Sequence, residues 1–220
     1  MPPCLIVFDL DGTLIDSAAD LAAAINRMLA DFGCEPLGTA EVRRMIGDGV
    51  AMLVARALAA RRCEQTDAAL AAAVFMRHYE SDATSLTTAF PGVPEALQAL
   101  RAAGLPLAVC TNKPERITAG ILEELGLAGY FSRVIGGDSL PFRKPDPRVL
   151  STLVEAFAAA PQNSLLVGDS EVDAATAAAA GVPFVLMKHG YRRGPAEEIQ
   201  CIAALESFAE LPPLVRALPR

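Results

Sequence analysis

Apolar residues gather in short, nearly unbroken runs at Cys4–Phe8, Leu105–Cys110, Arg133–Ile135, Ser164–Val167 and Pro183–Met187. Runs of this length and continuity predict strands buried on both faces, as in a parallel sheet, and not the in-out alternation of a sheet with one wet side. Between them the pattern becomes helical. The spacing predicts helices over Pro94–Ala103, stopped by Gly104, Glu115–Leu125, stopped by Gly126, Pro147–Ala159, and Glu171–Ala180, stopped by Gly181. Strands alternating with helices define an α/β fold whose ligands bind beyond the carboxyl ends of the strands.

One interval breaks the alternation. From about Ser17 to Ser85 no strand is predicted, and four helical stretches follow one another. The first starts at Ser17, with Asp20 as the partner in a variant capping box, and carries Leu21, Ile25, Met28, Leu29 and Phe32 on one face. Another runs from Val50 to Arg62. The expected organisation is a core of residues 1–16 and 86–220 with an all-helical cap domain, residues 17–85, inserted after the first strand. There it lies over the carboxyl edge of the sheet, where a lid can close.

A chain of 220 residues, 52% of them hydrophobic, supports one sizeable domain carrying a smaller insertion. Its formal net charge of −7 repels nucleic acid and no basic stripe offsets that. The run Ala174–Ala180 is too short to span a bilayer. Five cysteines, Cys4, Cys34, Cys63, Cys110 and Cys201, have no CxxC spacing and read as free thiols of a reducing compartment. With Leu5–Phe8 running straight into Asp9, no secretory signal is expected and the cytoplasm is the expected location. Lysine occurs only at Lys113, Lys144 and Lys188, so a lysine inside a motif is informative.

Four polar motifs follow predicted strands. The first is Asp9-Leu10-Asp11-Gly12-Thr13. Two carboxyls two residues apart on an extended segment face the same way, so Asp9 can attack as a nucleophile while Asp11 serves as acid and base. The alternative is a pair of solvated turn aspartates. The second is Thr111-Asn112-Lys113-Pro114, where a hydroxyl, an amide and backbone N–H groups at a helix start suit phosphate oxygens, or cap the helix at Glu115. In the third, Arg143-Lys144-Pro145-Asp146-Pro147, Lys144 offers a fixed cation between attacking carboxylate and phosphate, or is an exposed loop lysine. In the fourth, Gly168-Asp169-Ser170-Glu171-Val172-Asp173, Asp169 can join Asp9 in an all-oxygen Mg2+ site with Asp173 in support, or Asp169 or Ser170 can cap the helix.

Together DLDGT, TNKP, RKPDP and GDSEVD, in this order and spacing, resemble the haloacid dehalogenase-like superfamily. TNKPERI, FSRVIGGDSLPFRKPDP and VGDSEVD further resemble its bacterial phosphoglycolate phosphatases. The resemblance implies a Rossmann-like core and a helical cap. It also implies an aspartyl-phosphate on Asp9, Asp11 as acid and base, and phosphate held by Thr111 and Lys144. Mg2+ would be held by Asp9, the Asp11 backbone carbonyl and Asp169. The expected partner is a small phosphorylated metabolite, 2-phosphoglycolate in particular, hydrolysed to glycolate and phosphate.

Substrate choice is expected from the cap loop Gly47-Asp48-Gly49 and from Lys113; Arg43, Arg44 and Arg56 are alternative anion partners or a solvated face, His78 reads as structural, and His189 and Tyr191, after the last main strand, either border the site or are structural. The segment 17–85 contains no lysine, which disfavours a Schiff-base phosphonate hydrolase, and Asp11 disfavours a dehalogenase. A sugar-phosphate phosphatase or mutase, a pyrophosphatase and a nucleotidase share the four motifs. A phospho-receiver signalling module has a similar set of aspartates, threonine and lysine, but needs neither a lid nor the Asp9/Asp11 pair.

Overall fold

A computed structural model describes residues 5–63 and 65–218. Strand β1 (Leu5–Phe8) leads through the short β2 (Ile15–Asp16) into α1 (Ala18–Asp31), α2 (Thr39–Arg43), α3 (Val50–Ala60) and α4 (Ala68–Glu80). The chain returns through β3 (Thr88–Ala89) to α5 (Val93–Ala102), β4 (Leu107–Cys110), α6 (Glu115–Glu124) and β5 (Arg133–Ile135). It ends with α7 (Arg148–Ala156), β6 (Ser164–Gly168), α8 (Glu171–Ala180), β7 (Phe184–Met187), β8 (Ala203–Leu205) and α9 (Leu211–Ala217). The strand expected from Cys4 begins, within the described residues, at Leu5.

Six strands form one parallel sheet in the order β5-β4-β1-β6-β7-β8. Successive residues of β1 serve opposite faces: Ile6 and Phe8 pack with Val109, Leu165 and Val167 on one side, Leu5 and Val7 with Ala108 and Leu166 on the other. That double burial is why the strands read as continuous apolar runs. From β1 the order runs outward through β4 and β5 on one side, and through β6 to β8 on the other. The reversal opens a crevice at the carboxyl ends of β1, β4 and β6, and three of the four polar motifs directly follow these strands.

Three short strands differ from expectation. β8 is a three-residue edge strand, and β2 and β3 form a two-residue antiparallel ribbon where the chain leaves and rejoins the sheet. Such short segments carry no periodicity for a pattern to reveal.

Asp20 also departs from its expected part. Ser17 makes no side-chain cap hydrogen bond, and the buried Asp20 carboxylate instead accepts from the backbone N–H of Leu86 at 3.0 Å and of Thr87 at 2.8 Å, and from Thr87 Oγ1 at 2.7 Å. It pins the return crossing to the start of α1, a long-range role that a local capping pattern could not reveal. Asp20→Ala strands these donors, so a loss of about 2–3 kcal/mol in urea unfolding is expected; an unchanged midpoint would show that water replaces the carboxylate.

The cysteines need a second correction. Cys34 and Cys63, after the ends of α1 and α3, are joined as a disulfide, while Cys110 and Cys201 are free. Cys4 lies outside the described residues. Spacing along the chain cannot report a pairing made when two helix ends meet in space.

Candidate active site

The site is built where β1 stops. Asp9 N–H still bonds to Val167 O at 2.9 Å, and the chain then turns back so that Leu14 N–H reaches Leu10 O. Gly12 stands at φ +86°, and a Cβ there would lie 2.5 Å from Asp169 Oδ2, so the turn needs glycine for both its backbone and the carboxylate beside it. The two aspartates, two residues apart with the buried Leu10 between them, face one cavity as expected, and the turn follows directly after them. Asp9 and Asp11 line the cavity with Thr111, Asn112 and Lys113 after β4, and with Gly47 and Gly49 before α3.

Lys144 reaches the same place from the loop between β5 and α7. Its buried ammonium stands 2.6 Å from Asp173 Oδ1 and 2.8 Å from Asp9 Oδ1. Burial works against its charge, but Asp173 and Asp9 outweigh it and hold the lysine protonated. Lys113 is arranged in the same way around the other aspartate, 2.7 Å from Asp11 Oδ1 and 2.9 Å from Oδ2. Ser17 Oγ donates to Asp11 Oδ1 at 2.5 Å. Each carboxylate of the pair thus has its own lysine.

Asp9, Asp169 and Asp173 form a buried acidic triad whose ligand atoms all lie within 4.8 Å of one another. Burial first, then Lys144 in opposition, leaves the Asp9 carboxyl pushed up to about 6. Burial, with Asp173 and Asp9 adding repulsion, raises Asp169 well above the usual range. The cluster is short of positive charge, which a divalent cation would supply, so the donor set fits an oxygen-liganded ion. Its members are not equivalent. Asp173 Oδ1 accepts from Lys144, and Oδ2 from Ser170 Oγ at 2.6 Å in the capping box that opens α8. Asp169 accepts from Thr13 Oγ1 at 2.7 Å and Tyr191 N–H at 2.6 Å. The capping interpretation of the fourth motif therefore holds for Ser170 and Asp173 while Asp169 remains aimed at Asp9.

The side-chain amide of Asn112 needs a correction. Its Nδ2 donates to Gly47 O at 2.9 Å and Lys144 O at 3.0 Å, so both amide protons hold backbone and neither is left for a phosphate oxygen. It fastens the Gly47 loop and the Lys144 loop to β4. Thr111 is buried and accepts weakly from Lys113 N–H, which leaves its own proton to donate. Neither residue caps α6, whose N-cap is Pro114.

Around the rim, Asp48 turns its carboxylate away from the cavity to pair with Arg56 at 2.5 Å and with Arg193. Arg43 binds Asp16 at 2.8 Å over the Tyr191 ring, and Arg44 is exposed. His78 pairs with Asp31 on the surface, and His189 lies between Phe90 and Phe208. Tyr191 is closer to the chemistry than its isolated position in the sequence suggests. Besides its N–H bond to Asp169, its hydroxyl donates to Asp16 and accepts from Ser17 N–H. Thr13, Ser17 and Tyr79 also border the site, although none of them was expected to act in it. Tyr79 left a signal: a phenol on the apolar stripe Ala71, Val74, Phe75, Tyr79 of α4.

The sequence profile for "Haloacid dehalogenase-like hydrolase" matches residues 6–187. A "Phosphoglycolate phosphatase" of Cereibacter sphaeroides (strain ATCC 17025) is 46% identical over 97% of this chain and 98% of its own. A protein of the same name from Rhodospirillum rubrum is 44% identical over 95% and 89%. The crystal structure of a "predicted phosphoglycolate phosphatase" from Haemophilus somnus 129pt superposes with a TM-score of 0.93 at 34% identity, covering 97% of this chain and 98% of that one. With its four motifs on one sheet edge and these relatives matched almost end to end, the chain belongs to the haloacid dehalogenase-like hydrolase family.

Proposed function

We propose that the protein is a phosphatase that hydrolyses 2-phosphoglycolate to glycolate and phosphate through a phosphorylated Asp9. The observation that carries this is the pairing of Asp9 with Lys144 and of Asp11 with Lys113 at one cavity. The names of relatives similar over nearly the whole chain support the substrate.

A carboxylate oxygen of Asp9 forms a bond to phosphorus as the bond from phosphorus to the substrate's alcohol oxygen breaks. Asp11 gives its proton to that leaving oxygen. Glycolate departs, Asp11 takes a proton from water, and the water oxygen attacks phosphorus to release phosphate and restore Asp9. Lys144 lessens the repulsion between the attacking carboxylate and the phosphoryl oxygens, and Thr111 donates to one of them. Ser17 and Lys113 keep the Asp11 carboxyl aimed at the leaving group.

Asp9, the backbone carbonyl of Asp11 and Asp169 would hold Mg2+, and bound there it neutralises phosphoryl charge. Asp173 supports this set from behind Lys144 and Ser170. Chelator is expected to stop phosphate release and added Mg2+ to restore it; full activity in excess chelator would remove the metal from the mechanism.

Residues 17–85 are read as a cap that closes over the core. Ile46, Gly47, Gly49, Phe75 and Tyr79 share the cavity with the aspartates, which supports this assignment, as does the Arg193–Asp48 pair that bridges the two parts. A cytoplasmic location goes with a small phosphorylated metabolite as substrate; none of the described helices is long and apolar enough to cross a membrane.

The test is phosphate release from 2-phosphoglycolate, hexose phosphates, a nucleoside monophosphate and pyrophosphate. A preference of about tenfold or more in kcat/KM for 2-phosphoglycolate, about 1.4 kcal/mol in transition-state binding, is expected. A flat profile would keep the phosphatase and discard the substrate.

A further inference from the structure

Tyr79 sits in the last turn of α4 and is 1% exposed, yet its hydroxyl has no hydrogen-bond partner among the described residues. The Lys113 ammonium lies 4.9 Å from its ring centroid and pulls on the hydroxyl without closing a well-formed bond. The ring itself is well placed for packing, stacked on Phe75 with centroids 5.6 Å apart. Phenylalanine would make that stack without stranding a donor, and buried donors without partners are rare in native proteins. Tyr79 is one of the residues that line the cavity, together with Asp11 and Lys113.

What can enter that cavity follows from its walls. Leu21, Ile46, Val50, Leu53 and Phe75 are apolar, and among the described residues no arginine lines it, Arg43 and Arg56 being committed to Asp16 and Asp48. A polyhydroxylated sugar would find few partners for its hydroxyls. A short tail with a single anionic end finds one cation, Lys113, and, apart from the Thr111 hydroxyl assigned to the phosphoryl group, the neutral donor Tyr79. The phenol stays protonated at neutral pH, because burial pushes it up to about 12. Lys113 also touches both oxygens of Asp11, so Tyr79 is the next group beyond the residue assigned to the leaving oxygen.

We propose that Tyr79 is a specificity-determining residue, whose hydroxyl donates to the substrate's carboxylate beside the Lys113 ammonium. This rests on the phosphatase function proposed above and names the side chains that select the substrate's other end.

The test compares 2-phosphoglycolate with ethyl phosphate, a monoester of the same length lacking the carboxylate, in the wild type and in Tyr79→Phe. The ratio of the two kcat/KM values is expected to fall about tenfold or more in the variant, chiefly through KM for 2-phosphoglycolate, with a melting temperature equal to or above that of the wild type. A ratio unchanged within about twofold would overturn the assignment. So would a melting temperature several degrees lower, which would mean that the hydroxyl serves the fold. A wild type without preference for 2-phosphoglycolate fails the proposed substrate itself, and Tyr79 with it. A wild-type preference that Tyr79→Phe retains fails the Tyr79 assignment alone.

Discussion

Asp9→Asn is expected to abolish turnover, by about 10⁴-fold or more in kcat, while leaving the protein folded. The amide has nearly the shape of the carboxylate but cannot form the bond to phosphorus. Stability should hold or rise. Asp9 is buried and its carboxyl is pushed up to about 6, so above that pH the ionised form weighs against the folded state. The amide carries no charge to desolvate, although Lys144 then keeps only Asp173 as a charged partner. Thermal unfolding at neutral pH, run beside the kinetics, separates the two effects. Substantial remaining activity in a folded variant would mean that Asp9 is not the nucleophile.

Lys144→Met should be the most damaging change to activity and fold together. The ammonium is the only lysine in contact with Asp9 or Asp173 among the described residues, and removing it leaves two buried carboxyls facing each other. Breaking a buried ion pair from one side costs about 3–5 kcal/mol. Loss of the positive charge beside the transferred phosphoryl group should lower kcat about 10²–10³-fold further. Urea unfolding and phosphate release measure the two losses. A variant as stable as the wild type would imply that both carboxyls take up protons at little cost when the lysine goes.

The polar motifs were legible because the chemistry concentrates at strand ends, and strands buried on both faces announce themselves as apolar runs. Asp9, Asp11, Lys144 and Asp169 could be grouped before any coordinates because a parallel sheet gathers the carboxyl ends of its strands at one edge. What the sequence could not give was the division of labour within a motif. Asn112 looked like a phosphate ligand because an amide beside a strand end suits one, yet its two protons hold the Gly47 and Lys144 carbonyls. Asp20 looked like a helix cap and instead binds a segment more than sixty residues away. The same limit hid the Cys34–Cys63 bond and the part of Tyr191 beside Asp169. Each depends on which chain segments meet, and local spacing carries no record of that. In the segment 17–85 the apolar stripes foretold the helices, but which of their side chains face the cavity was set by how α3 and α4 pack.

The most direct test of the mechanism is rapid acid quenching of the enzyme during turnover of 2-phosphoglycolate, followed by mass spectrometry of the peptide that contains Asp9. A phosphoryl group on Asp9 that forms within the first turnover and decays as substrate is exhausted is expected. Phosphate released at full rate with Asp9 never modified, under conditions that preserve acyl phosphates, would contradict the covalent role of Asp9.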